Sequence, residues 1–171
     1  MHALTIFARF VHVGAGGYWV GAVLFINAFL GPSIEAIGPE SRGLMRELMR
    51  RRYFEMTMLM ATLTILSGLY LVWLDSDGFR AAWFGTRFGL TLTVGMAATI
   101  LAFVVAIVAV RPALARVMAI GQQMTDVTSR GERHEVVGAL EGARARLSAA
   151  GAFSALLLVL AVATMAVARY L

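Results

Sequence analysis

The chain has 171 residues, of which 60% are hydrophobic and only 15% are charged, with a formal net charge of +5. Soluble domains carry about a quarter of charged residues, so this composition excludes an ordinary soluble domain and indicates an integral membrane protein. The sequence has no cysteine, which excludes disulfides, thiolate metal sites and covalent c-type haem attachment. We expect no nucleic-acid partner, because the basic residues sort by membrane side.

Four apolar stretches predict an all-α fold, a four-helix transmembrane bundle that makes a single membrane domain of residues 1–171. Each stretch is long enough to cross a hydrocarbon core of about 30 Å at about 1.5 Å per residue. The predicted spans cover residues 4–30, 54–74, 88–110 and 147–170.

The connections between the spans predict further helices. After the first span, leucines and methionines of "RGLMRELMRRR" repeat every four residues, which predicts an amphipathic helix at the membrane interface. Pro112 follows the third span and either kinks the helix or restarts it. The segments beyond it predict a cytoplasmic helical hairpin, with its turn at "TSRGERHEVV".

The arginines predict the orientation in the membrane. All 15 basic residues are arginine; five lie between the first two spans and six between the last two. Both connections face the same side, which the positive-inside rule assigns to the cytoplasm. We therefore expect a bacterial inner (cytoplasmic) membrane protein with both termini on the outer side and a tight outer hairpin at "DSDGFRAAWFGTR".

The first span carries a histidine on a polar face. At about 100° per residue, Arg9, Gly16 and Trp19 lie on the same face as His12. Polar side chains are costly in lipid, so this face is expected to turn inward and to mark a functional site. Gly16 would leave a flat clearing beside the imidazole, and Trp19 could pack on the edge of a porphyrin. The alternative is a structural histidine bonded to a neighbouring helix.

Small residues cover the opposite face of the same span. Gly14, Gly17 and Gly21 cluster there, and glycines spaced by four residues allow close helix packing in membranes. This face predicts contact with another helix or subunit, in a homo-oligomer or a larger membrane complex. One alternative function is therefore that of a cofactor-free accessory subunit.

Two short motifs carry a resemblance to a known family. "H12-x6-W19-x-G21" in the first of four spans, with Arg87 opening the third span in "WFGTRFGL", is similar to the CopD-like membrane superfamily. That group includes copper-resistance D proteins and the HemJ-type protoporphyrinogen oxidases. The resemblance implies that His12 is an axial ligand of haem b and that Arg87 takes the place of a common lysine, where it could pair with a propionate. It also implies electron transfer or haem-linked redox chemistry. Arg9, on the same face as His12, is the other candidate for neutralising propionates.

The chain departs from the HemJ-type pattern. The Leu-Pro-Arg-Leu-Phe run is missing and no span holds a second histidine, so one subunit cannot supply two histidine ligands. Met165 lies about 9 Å below the outer end of the fourth span, near the level of His12, and is our candidate for the second metal ligand. The sequence assigns neither catalytic residues nor an enzymatic reaction.

Copper handling is the other alternative. The chain has ten methionines, and thioethers are soft ligands that suit Cu(I). Met45 and Met49 share one helix face, as do Met56 and Met60. These four lie toward the predicted cytoplasmic end, away from His12.

Overall fold

The computed structural model describes residues 2–126 and 130–171, and these residues form the predicted all-α bundle. Four helices are long and apolar enough to cross a membrane, so the protein is a multi-pass membrane protein of four spans. These helices cover His2–Ile37, Tyr53–Asp75, Arg87–Met124 and Gly131–Ala168.

Short helices and turns connect the long ones. A 3-10 turn precedes α3, and α5 lies between the second and third spans. The helices are α1 (His2–Phe25), α2 (Gly31–Ile37), α3 (Arg42–Arg50), α4 (Tyr53–Asp75), α5 (Ala81–Phe84), α6 (Arg87–Val105), α7 (Arg111–Asp126) and α8 (Arg130–Ala168).

The bundle consists of two helix pairs. Contacts are most extensive between α1 and α4 and between α6 and α8, and are sparser between the pairs. The Tyr53 hydroxyl donates to the Ala22 carbonyl at 3.1 Å, while His12 meets Thr64, so α1 and α4 run antiparallel. We call the end with both chain termini and α5 the terminal end, and the opposite end the arginine-rich end.

Two π-helical turns let the helices pass through their prolines. Ile26–Leu30 and Ala106–Val110 each form one such turn, directly before the helices that begin Gly31-Pro32 and Arg111-Pro112. Proline lacks the amide hydrogen of a helical bond and its ring crowds the preceding turn, and an extra residue in that turn relieves the conflict. The third span therefore continues through Pro112 into α7 without restarting.

The predicted helical hairpin at the arginine-rich end is present as α7 packed against the first part of α8, and α8 begins earlier in the chain than predicted. The segment "TSRGERHEVV" is helical from Arg130 onward, and residues 127–129 lie outside the described residues. Lone Gly131 weakens a helix by only about 1 kcal/mol, which its good helix-forming neighbours offset. The hairpin has its own small core of Ile120, Leu140 and Ala143.

The glycine face of α1 points out of the bundle. A Cβ added at Gly14, Gly17 or Gly21 would meet no atom within 4 Å. Their positions are compatible with close packing of a further helix against α1. Docking in an oligomer or complex stays a prediction.

Candidate functional site

The imidazole of His12 is anchored to the neighbouring helix. Its Nδ1 lies 2.8 Å from the backbone carbonyl oxygen of Thr64 on α4. A carbonyl only accepts hydrogen bonds, so Nδ1 carries the proton and donates it. Ser67 Oγ lies 3.4 Å from the same nitrogen and makes a weaker second contact. In the neutral ring, Nε2 is then left with a free lone pair.

A glycine on α4 makes room for this ring. A Cβ at Gly68 would stand 2.8 Å from Cε1 and 3.1 Å from Nδ1 of His12, closer than side chains normally approach. Gly16 on α1 packs differently, because a Cβ there would lie 3.3 Å from the Thr64 methyl group. The clearing expected beside Gly16 is thus filled by Thr64, and the space around the imidazole is provided by Gly68.

His12 lines a cavity of about 270 Å³ that lies between the two helix pairs and is partly open. Its polar lining comes from His12, Thr64 and Thr99, with Asp75 and Arg169 toward the terminal end. The apolar lining comes from α4, α6 and α8 and consists of Ile65, Leu69, Leu71, Val72, Phe88, Leu92 and Ile100 together with two methionines. An imidazole thus borders a largely apolar space within the membrane span.

The two methionines lie on different helices of the second pair. Met96 on α6 and Met165 on α8 both line the His12 cavity. Met165 was predicted at this depth, and the structure brings it into the same cavity as His12. Met96 was missed, although it lies nine residues into α6, about 14 Å along the helix and so at a similar level.

Trp19 lies one layer deeper in the bundle than the cavity. It is only 1% exposed and packs against Ala61, Ala102 and Leu158, thereby joining the two helix pairs. Ala61 and Ala102 each lie one turn beyond the cavity-lining Thr64 and Thr99. Trp19 itself does not belong to the cavity lining.

The indole nitrogen of Trp19 lacks a partner. Nε1 is buried and no described residue accepts its hydrogen. Its closest aromatic neighbour is Phe103, with ring centroids 6.4 Å apart and planes at 89°. The donor is thus held in place by tight packing, at the cost of an unmade hydrogen bond.

The arginines differ from the predicted arrangement. Arg9 and Arg87 are exposed, and neither belongs to the lining of the cavity. Arg169, which directly follows α8, does line it, and sequence reasoning missed this residue. Its guanidinium carbon also lies 5.1 Å from the Tyr170 ring centroid.

The donor set limits which metal sites are feasible. Within residues 2–126 and 130–171 no group of three or more His, Cys, Asp or Glu side chains comes together. A metal centre at His12 would thus depend on one imidazole, thioethers and ligands that the protein does not supply. Hard-cation sites built from carboxylates are not found in this part of the chain.

Comparison of the chain with protein-family models, curated proteins and solved structures finds no match. The resemblance to the CopD-like superfamily therefore stands on its two short motifs alone.

Proposed function

We propose that the protein binds haem b in the His12 cavity and acts in electron transfer or haem-linked redox chemistry. The observation that carries this proposal is the hydrogen bond from Nδ1 to the Thr64 carbonyl, made by a histidine that lines a cavity. Histidines that ligate metals almost always donate their other ring hydrogen to a carbonyl or carboxylate, which fixes the ring and its tautomer. A purely structural histidine would make the same bond, but it would need no cavity.

The residues present fit such a group in their chemistry. His12 Nε2 and the Met165 thioether would hold the iron, and Arg169 would pair with a propionate in place of the expected Arg9 or Arg87. The apolar walls would exclude water. The volume of about 270 Å³ is below the lower limit of ordinary ligand pockets, about 300 Å³. The group would thus be only partly enclosed, and it would supply one-electron redox chemistry when bound.

The test is an absorption spectrum of the purified protein, reduced minus oxidised, after expression with haem supplied. We expect a Soret band that His12→Ala abolishes and that added imidazole partly restores, because the free ligand can enter the space left by the side chain. His134→Ala is the matched control, since His134 is an exposed histidine of the helical hairpin. A colourless wild-type protein, or an unchanged band in His12→Ala, would contradict the proposal.

Copper handling is a second candidate, and the shared cavity of His12, Met96 and Met165 favours it. One imidazole and two thioethers make a soft donor set that suits Cu(I). This function predicts Cu(I) binding without a Soret band, lost when Met96 and Met165 are both replaced by leucine. Met56→Leu is the control, because Met56 is exposed on α4. Retained Cu(I) affinity in the double variant would exclude this candidate.

The arginine asymmetry supports the proposed orientation, in which both termini face outward from a bacterial inner membrane. The cysteine-free sequence suits a labelling test without background. Single cysteines at Gly43 and Asp77 would be offered a membrane-impermeant maleimide on whole cells. We expect labelling at position 77 and none at position 43 until the membrane is opened, and the reverse pattern would contradict the orientation.

A further inference from the structure

A second concave surface lies at the arginine-rich end, away from the His12 cavity. It is an open groove of about 610 Å³ between α2 and the middle of α8. Glu35 contributes from α2, and Glu141, Arg144 and Ser148 contribute from α8. No part of the proposed haem or copper site uses these residues.

The charged side chains in this groove are unpaired within residues 2–126 and 130–171. Glu35, Glu141 and Arg144 form no ion pair with any residue that the structure describes. Elsewhere at the same end, Glu47 binds both Arg50 and Arg51 at 2.8 Å, so ion pairs do form where the geometry allows. A groove with two free carboxylates and one free guanidinium is complementary to a ligand that carries both a cationic and an anionic group.

The wall of the groove below these charges is apolar and smooth. Ala145, Ala149 and Ala152 line it, and their spacing of four and three residues places them on one face of α8. Arg144 precedes the apolar part of α8 by a few residues, which is the depth at which arginine side chains reach headgroups. The groove is therefore polar at the interface and apolar toward the membrane interior, like a phospholipid.

We propose that this groove binds a phospholipid whose headgroup carries a primary ammonium. Arg144 binds the phosphate, because guanidinium pairs well with phosphate oxygens. Glu35 and Glu141 accept hydrogen bonds from the ammonium, and one acyl chain lies along the alanine wall. A trimethylated ammonium has no N–H to donate, so the carboxylates would discriminate against it.

The experiment measures lipid retention by native mass spectrometry of the full chain in mild detergent. Phosphatidylethanolamine and phosphatidylcholine with identical acyl chains are supplied in equal amounts. We expect the wild-type protein to retain phosphatidylethanolamine preferentially, by about tenfold. The double variant Glu35→Gln with Glu141→Gln is expected to lose this preference while still binding phospholipid, and Arg144→Gln to bind both lipids more weakly.

Controls separate this site from general lipid contact and from loss of fold. Arg146→Gln changes an exposed arginine two residues away, on another face of α8, and should retain the wild-type preference. Ala149→Phe should block the groove while leaving the thermal unfolding temperature unchanged. Equal retention of the two lipids by the wild-type protein, or an undiminished preference in the double glutamine variant, would overturn the proposal. The proposal would also be overturned if soluble phosphoethanolamine were preferred over soluble phosphocholine by the same factor and Ala149→Phe did not change this preference. The acyl chain and the alanine wall would then play no part in binding.

Discussion

Two levels of the bundle, one at Trp19 and one at His12, differ in how tightly their side chains pack. Both residues lie on the inner face of α1. At the Trp19 level, a large indole meets the small side chains of Ala61 and Ala102 and packs without a cavity. At the His12 level, the smaller imidazole meets Gly68 and borders a cavity of about 270 Å³. The two residues lie seven positions apart, which is about two helical turns.

This difference shows where the membrane span has room for chemistry. The Trp19 level joins the two helix pairs and leaves even its own indole N–H unsatisfied. The His12 level satisfies the ring hydrogen through Thr64 and leaves space and a lone pair. We interpret the first level as the structural contact between the pairs and the second as the site.

The largest expected effect on stability comes from removing the side chain that packs the Trp19 level. Trp19→Ala removes a fully buried ring and should lower the free energy of unfolding by about 3–5 kcal/mol, through lost burial and the cavity left behind. Thermal unfolding in detergent would measure this, with Trp73→Ala as the control because Trp73 is 45% exposed. Similar losses in both variants would mean that the Trp19 level does not hold the pairs together.

Adding a methyl group at the His12 level should affect haem binding more than stability. Gly68→Ala places a methyl group 2.8 Å from Cε1 of His12, so the ring must shift, and we expect haem affinity to fall about tenfold or more. The overpacking itself should cost about 1–3 kcal/mol. A haem titration followed at the Soret band checks this.

Gly17→Ala is the matched control for the glycine variant. A Cβ at Gly17 meets nothing within 4 Å, and alanine is the better helix former by about 1 kcal/mol. Affinity should stay at the wild-type value. Equal haem affinity in Gly68→Ala and Gly17→Ala would show that the imidazole position does not matter.

A smaller effect on stability is expected from a volume-conserving substitution at the His12 level. Met165→Leu should cost less than about 1.5 kcal/mol in stability. If the thioether is the second axial ligand, the variant should nevertheless lower the reduction potential and alter the visible bands, since a methionine ligand raises the potential. A potentiometric titration of Met165→Leu beside Met60→Leu tests this, and identical potentials would exclude Met165 as a ligand.

The smallest effect on stability is expected for the ion pairs of Glu47, which lie outside the Trp19 and His12 levels. Hydrogen bonds from Arg50, and then from Arg51, lower the pKa of Glu47 below its ordinary value of 4.5. Because the folded pKa is the lower one, the stabilisation is complete above pH 4.5 and is lost as the pH falls through the folded pKa. Wild type and Glu47→Gln should thus differ slightly in unfolding temperature at pH 7 and converge in acid. A difference that grows in acid would contradict this assignment.

Sequence reasoning predicted those features that depend on one helix at a time. Hydropathy located all four spans, because about 20 apolar residues are needed to cross a membrane whatever the helix packs against. Depth along the chain placed Met165 at the level of His12, and both line one cavity. The spacing of His12 and Trp19 on one helix face also fits their shared inward direction.

The features that were missed depend on contacts between helices. No single-helix pattern shows that Gly68 faces the imidazole, that Met96 lines the same cavity or that Thr64 fills the space beside Gly16. The role expected for Arg9 rested on its sharing a helix face with His12 and that of Arg87 on its depth, but both residues are exposed and lie outside the cavity lining. Trp19 was placed beside the histidine, but the packing between pairs puts it one layer lower.

The most direct test of the account asks which atom binds the iron. Electron–nuclear double resonance of the oxidised, haem-loaded protein would be recorded with natural and ¹⁵N-labelled histidine. We predict a histidine nitrogen coupling that changes on labelling in the wild-type protein and in His134→Ala, and that is absent from His12→Ala. A coupling that persists in His12→Ala, or haem bound without any coupling to a histidine nitrogen, would contradict the claim that the cavity is organised around His12.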